Sequence, residues 1–252
     1  MPRLDGRVAV ITGAGDGIGR AMASAFATSG ANVVVADIRP DAVERTVAEV
    51  IAEGGTAEGS VCDVAVNSQV KATLDATLRR FGRLDILCNN AGIMDRMLPV
   101  AMVTDEVWDR VLAVNLTGPM YACRIAIPMM VHQGSGAIIN VASISAFVGG
   151  RAGAAYTVAK HGVLGLTRSI AVFYGASGVR CNAISPGSVA TRLDVAETPL
   201  EEGAAIGRKG LATRPRQAQP GEIADVAVFL ASDESRYMNG ANVVVDAGWT
   251  AF

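Results

Sequence analysis

Tyr156 and Lys160 stand four residues apart in the run Tyr156-Thr157-Val158-Ala159-Lys160, inside an Ala-rich stretch that reads as helix. That spacing brings two side chains to one helical face, one turn apart. A phenol titrates near pH 10 in water and is a poor base at neutrality. An adjacent ammonium favours the phenolate, and a bound nicotinamide cation would act in the same direction. Such a group could take the hydroxyl proton of an alcohol while hydride leaves the carbon, or protonate an alkoxide in the reverse reaction. The same pair on an exposed helix would be a surface tyrosine beside a solvated lysine, so spacing alone does not decide between them.

A second cluster suits phosphate. Gly13-Ala14-Gly15-Asp16-Gly17-Ile18-Gly19 follows the β-branched run Val8–Thr12 and opens an Ala-rich segment. Phosphate oxygens need backbone N–H donors at close range, and glycine lets the main chain turn and approach that tightly. A helix N-terminus adds partial positive charge facing the anion. Asp37 ends the next strand-like run, where a carboxylate can accept hydrogen bonds from an adenosine ribose. Strand, glycine turn, helix and terminal acid together predict a dinucleotide site. Asp37 and Asp16 would repel a 2′-phosphate, whereas Arg39 could clamp one. Two acids against one arginine predict NAD rather than NADP. Asp63 could accept from the adenine amino group or simply serve a turn.

The elements that must position these groups are legible as short apolar runs alternating with Ala-rich segments. Strands are expected at Val8–Thr12, Asn32–Asp37, Thr56–Asp63, Leu84–Asn89, Gly136–Val141, Val179–Ser185 and Asn242–Asp246. Helices are expected near 17–29, 40–53, 67–80, 104–131, 153–175 and 220–231. Mostly apolar strands imply a sheet covered on both faces, and β-α alternation implies parallel pairing with right-handed crossovers. The expected architecture is α/β: one doubly wound Rossmann domain over residues 1–252, a parallel sheet of about seven strands with helices on both faces. Residues 190–219, rich in charge, Gly and Pro, read as a substrate lid over the site.

Composition narrows the function classes. Half of the 252 residues are hydrophobic, which excludes disorder, and the net charge of −2 argues against nucleic-acid binding. Two histidines (His132, His161) and four dispersed cysteines (Cys62, Cys88, Cys123, Cys181) predict no metal site and no disulfide framework. His161 points away from the Tyr156–Lys160 face, and His132 suits a helix C-terminus. The opening Met-Pro-Arg-Leu-Asp-Gly-Arg lacks a secretory apolar stretch, and no run is long enough for a membrane span. A cytoplasmic protein with no membrane partner is the expectation.

Taken together, the motifs resemble those of the short-chain dehydrogenase/reductase family along the whole chain. Thr12-Gly13-Ala14-Gly15-Asp16-Gly17-Ile18-Gly19 is similar to its T-G-x-x-x-G-x-G motif, and Asn89-Asn90-Ala91-Gly92 to its N-N-A-G motif. Tyr156 to Lys160 matches Y-x-x-x-K, Ser143 precedes the tyrosine at the family's interval, and Asn115 falls in the segment that carries its fourth catalytic residue. The resemblance implies Tyr156 as acid/base and Lys160 as holder of the nicotinamide ribose. It implies Ser143, rather than Ser145, on the substrate oxygen, and Asn115 positioning a water behind Lys160. Cofactor contacts are implied for Gly13, Asp16, Gly17, Ile18, Gly19, Asp37, Asp63, Val64, Asn90, Ala91, Gly92, Tyr156 and Lys160. Further contacts are implied in the loop of Pro186, Gly187, Val189 and Thr191.

The implied function is hydride transfer between NAD(H) and a secondary alcohol or ketone. Selectivity is expected from 93–98, 144–151 and 190–219, where Ile93, Met94, Phe147, Val148, Leu193 and Val195 suggest a small to medium apolar substrate. Met97 and Met102 could extend that lining. A 3-oxoacyl-carrier-protein reductase is the alternative, weakened because the run Val131-His132-Gln133-Gly134-Ser135 holds no Lys or Arg for an acidic carrier. A non-catalytic NAD sensor is a third reading, for which a poised phenol has no use. The resemblance also implies a homotetramer, with the tail Trp249-Thr250-Ala251-Phe252 buried at a subunit contact.

Overall fold

The computed structural model describes residues 3–195 and 200–251. Phe252 and the side chain of Val195 lie outside the described residues. The strands are β1 (Val8–Thr12), β2 (Asn32–Asp37), β3 (Thr56–Val61), β4 (Ile86–Asn89), β5 (Gly136–Val141), β6 (Val179–Pro186) and β7 (Asn242–Val245). They form one parallel sheet in the order β3-β2-β1-β4-β5-β6-β7. The helices are α1 (Gly17–Thr28), α2 (Pro40–Ala52), α3 (Asn67–Phe81), α4 (Asp105–Leu112), α5 (Gly118–Gln133), α6 (Ala154–Tyr174), α7 (Glu201–Leu211) and α8 (Pro220–Ala231).

Adjacent strand residues feed opposite faces, as the period of two requires. Ile11, Val35 and Ile139 join Met22, Phe26, Ile223 and Ala227 in one core. Their neighbours Val10, Val34 and Ile138 join Leu74, Ala126, Met130 and Ile170 in the other. The chain runs outward through β1, β2 and β3, then returns to β4 on the other side of β1. That reversal opens a crevice at the carboxyl ends of β1 and β4, where sheets of this kind bind ligands.

Two expectations needed revision. β3 ends at Val61 instead of Asp63 and is a half-exposed edge strand, with Glu58 paired to Arg80. A single helix over 104–131 is not formed: α4 stops at Leu112, and a π-helical turn spans Ala113–Thr117 before α5 begins. Pro119 has no N–H to offer the carbonyl four residues earlier, that of Asn115, so the regular ladder fails there. The segment expected to form a lid contains α7, whose Gly203 lies so close that a Cβ there would sit 1.9 Å from the Met97 carbonyl oxygen.

The tail also behaves differently. Trp249 is buried within its own chain, with its indole N–H donating to Thr213 Oγ1 at 3.1 Å. No subunit contact is needed to cover it. All four cysteines are free and buried, as small apolar residues of the core. No helix among the described residues is long and apolar enough to cross a membrane.

Candidate active site

A cleft of about 1100 Å³ lies over the carboxyl ends of the strands. At its floor Thr12, Gly13 and Asn90 form a tight knot: Asn90 Nδ2 donates to the carbonyls of Thr12 (3.0 Å) and Gly13 (3.1 Å), and Thr12 Oγ1 accepts from the Asn90 amide. A Cβ on Gly13 would sit 2.8 Å from Ala91 Cα, and one on Gly15 would sit 2.8 Å from Asp37 Oδ2. Side chains there would push the loop off its neighbours, and a Cβ on Gly17 would meet Thr191 Cγ2 on the facing loop at 3.0 Å, so the bare glycine turn leaves room for a dinucleotide pyrophosphate at the N-terminus of α1. Gly19 does not line the cleft. A Cβ there would lie 2.2 Å from the Gly13 carbonyl oxygen, so it is a packing glycine that seats α1 under the loop.

Asp37 is buried and already committed. Its Oδ2 accepts from Gly15 N–H at 3.0 Å, and its Oδ1 accepts from Arg39 N–H (3.0 Å) and Arg39 Nε (3.2 Å). The hydrogen bond to Asp37 is the main cause raising the Arg39 pKa. Asp16 proves to be the N-cap of α1, with Oδ1 accepting from Gly17 N–H, while Oδ2 faces Arg192 at 3.3 Å and Arg39 at 3.9 Å. Its charge is therefore offset by two guanidiniums, and Asp37 is left as the acid that bears on cofactor choice. Asp63 lines the cleft but also ties its turn, accepting from Ala65 N–H at 2.9 Å. Ile18, Val64, Ala91 and Gly92 also line the cleft.

Tyr156, Lys160 and Ser143 meet on the other half. Lys160 is 3% exposed, donates to the Val141 carbonyl at 2.7 Å, and lies 5.5 Å from the Tyr156 ring centroid. Burial pulls its pKa from 10.5 down to about 8. Ser143 begins a 3₁₀ turn, Ile144–Ala146, its Oγ accepting from Ser145 N–H at 3.1 Å. Ser145 is 2% exposed, so Ser143 is the more accessible hydroxyl. Asn115 is fully buried and does not line the cleft: its side chain exchanges two 2.8 Å hydrogen bonds with the Ile93 backbone. The π turn carries it into this position behind Gly92, where a Cβ would meet both Asn115 Oδ1 (3.1 Å) and Lys160 Nζ (3.8 Å).

Pro186, Gly187, Val189 and Thr191 form the roof. The bonds Ala190 N–H to Ala218 C=O and Ala218 N–H to Ser188 C=O straddle Val189. Met94, Met97, Ile93, Ile144 and Leu193 line the outer half, whereas Met102, Phe147 and Val148 do not. Met102 and Phe147 are exposed to solvent, a placement that residue type does not encode. His161 bonds the Thr157 carbonyl on the exposed side of α6.

One residue of the site was not foreseen. Asp95 is 1% exposed, and its carboxylate accepts from Gly153 N–H (3.0 Å), Tyr156 N–H (2.9 Å) and Met97 N–H (3.2 Å). The cap position Gly153 has no side chain, so an acid from the loop after β4 caps α6 and fixes its first turn. Arg96 and Met97 beside it hold positive φ angles of 56° and 58°, an uncommon backbone for residues with side chains. A short acid a few residues after Gly92, facing a helix that starts without a Ser, Thr, Asp or Asn, was the available signal.

Comparison with known proteins agrees with this geometry. The family model described as enoyl-(acyl carrier protein) reductase matches residues 13–250. The chain is 40% identical over 253 residues to 3beta-hydroxysteroid dehydrogenase 2 of Eggerthella lenta, covering all of this chain and 97% of that protein. It is 42% identical over 248 residues to D-threitol dehydrogenase of Mycolicibacterium smegmatis, covering 98% and 94% of the two. The chain belongs to the short-chain dehydrogenase/reductases. A solved structure from Beutenbergia cavernae, holding NADP at low occupancy, superposes with a TM-score of 0.90 at 40% identity over the whole of both chains. As a short-chain dehydrogenase/reductase, this protein is an oxidoreductase of alcohols and ketones that uses a nicotinamide cofactor.

Removing the Asp95 carboxylate leaves two N–H groups of α6 without their acceptor. Asp95→Ala is expected to lose about 2–3 kcal/mol of stability in urea denaturation, and kcat should fall more than cofactor affinity. Asp95→Asn, which keeps an acceptor oxygen, should lose less. Lys160 predicts a pH dependence. Between about pH 8 and 10.5 the unfolded chain keeps a proton on this lysine that the folded chain has released, so the contribution of Lys160 to stability rises with pH across that window. Below it the buried charge costs up to about 3 kcal/mol. The four buried thiols act in the opposite direction in both proteins, so the comparison is the difference: from pH 7 to pH 10 the stability of wild type relative to Lys160→Met in urea denaturation should rise.

Proposed function

We propose that this protein interconverts a secondary alcohol and its ketone with NAD(H), and that its substrate has a small to medium apolar body. The observation that carries the reading is the buried Lys160 ammonium beside the Tyr156 ring at the cleft wall, with Ser143 on the adjoining strand end. A bound nicotinamide would supply the hydride acceptor or donor. Tyr156 Oη takes the alcohol proton during oxidation and returns it during reduction, favoured as phenolate by the charge of Lys160. Ser143 swings its hydroxyl from Ser145 to the substrate oxygen and stabilises charge as it develops there. Lys160 also holds the ribose. Because the Asn115 amide is engaged by Ile93, a water behind Lys160 would meet the Asn115 main-chain carbonyl, from which Pro119 withholds its helical partner.

Preference for NAD rests on Asp37. Its carboxylate stands at the ribose end, and Arg39, an arginine placed to clamp a 2′-phosphate, is tied to it. Main-chain groups of Val189 and the Thr191 hydroxyl orient the carboxamide, and residues 190–219 close over the substrate. The exposed apolar residues Val158, Val172 and Phe173 on α6 support assembly into a homotetramer.

Tyr156→Phe should lower kcat by roughly 10²–10⁴-fold while cofactor affinity is retained; parallel loss of both in a steady-state and fluorescence-binding comparison would contradict the assignment. NADH should bind more tightly than NADPH, and Asp37→Ala should narrow that gap by about tenfold or more, the equivalent of one lost like-charge contact. Tighter NADPH binding by the wild type would overturn the reading of Asp37.

A further inference from the structure

The cleft is electrically lopsided. Its acids among the described residues, Asp16, Asp37 and Asp63, all belong to the adenosine half. On the side of Tyr156 the ionisable lining is cationic, and Arg151 is unusual within it. Its Nε is buried with no hydrogen-bond partner among the described residues. Its guanidinium lies 4.4 Å from the centre of the Trp249 ring, and Trp249 is itself buried and pinned by Thr213. A guanidinium stacked on an indole is held flat, with its hydrogen-bonding edge directed sideways. Arg214 stands across the roof, donating to Ser188 Oγ at 2.9 Å. A buried donor without an acceptor is costly, and a planar fork matches the two oxygens of a carboxylate.

We infer that the substrate carries a carboxylate at the end of its apolar body remote from the reacting carbon, and that Arg151 receives it. This rests on the hydride-transfer reading above and adds a polarity to its substrate. Ile144, Met94 and Met97 face the body, Ser143 and Tyr156 the carbinol, and Arg151 the acid. Trp249 has its place in the same device: the chain end supplies the flat surface that orients the guanidinium.

The test uses the cofactor-saturated enzyme and a matched pair, 4-oxocyclohexanecarboxylate and its methyl ester. Calorimetric titration should show the carboxylate binding about tenfold tighter or more, with the advantage shrinking as salt rises. Arg151→Met should bring the two affinities level, and Arg151→Lys should recover part of the difference. Equal affinities in the wild type, or an undiminished preference in a folded Arg151→Met, would overturn the inference. If that variant does not fold, the wild-type comparison decides alone. Reduction of the two ketones is followed separately. Carboxylate preference without reduction of either upholds the arginine site and counts against the hydride-transfer reading, while reduction of the ester without preference does the reverse.

Discussion

A single ammonium held in a nearly dry place organises this molecule. Lys160 is tied to the Val141 carbonyl at the end of β5, with burial working against its charge. Taking an ion out of water is tolerable only when the surroundings cannot relax away from it. The surroundings here are rigid. Asn140, next to Val141, accepts from Asn89 Nδ2 and donates to Thr167 Oγ1, which in turn donates to the Val163 carbonyl. That chain locks β4, β5 and α6 at one mutual height, which sets the lysine under the phenol.

Three further restraints converge on α6. Asp95 grips its first turn from the loop after β4. The Leu98 carbonyl accepts from Ala154 N–H, which keeps the same loop against the helix start. Gly162 lies where a Cβ would touch Leu116 at 2.8 Å, so the π turn and α6 pack without a spacer. The site is thus built from the ends of β4 and β5 and one long helix, with the glycine turn of β1 supplying the other wall.

Much of this was legible because its signals are local. Glycines that permit close approach, a phenol and amine one turn apart, and β-branched runs between Ala-rich stretches are read within a few residues. Ser143 and Asn115 were found by resemblance; the Asn115 amide is consumed by Ile93, which leaves its main-chain carbonyl for the implied water. What stayed hidden depends on partners far along the chain. The partner of Asp16 from the distant roof loop, Arg192, carries no local signal. Asp95 meets residues from beyond α5 and β5 in sequence, and Trp249 finds Arg151 from a distant part of the chain, past β6 and β7. The break before α5 needed only Pro119, but apolar content on both sides masked it.

The strained pair Arg96–Met97 has two neighbours. Its carbonyls meet α7, through Leu200 N–H on Arg96 and the close approach of Gly203 to Met97, while Asp95 meets α6. Redesign of substrate scope at this loop would therefore disturb the geometry of proton transfer at the same time. The C-terminal wall around Trp249 and Thr213 meets the approach to that helix through Arg151, two residues before its cap. For a protein engineer, recarving that wall spares the strained pair but not the guanidinium stacked on it.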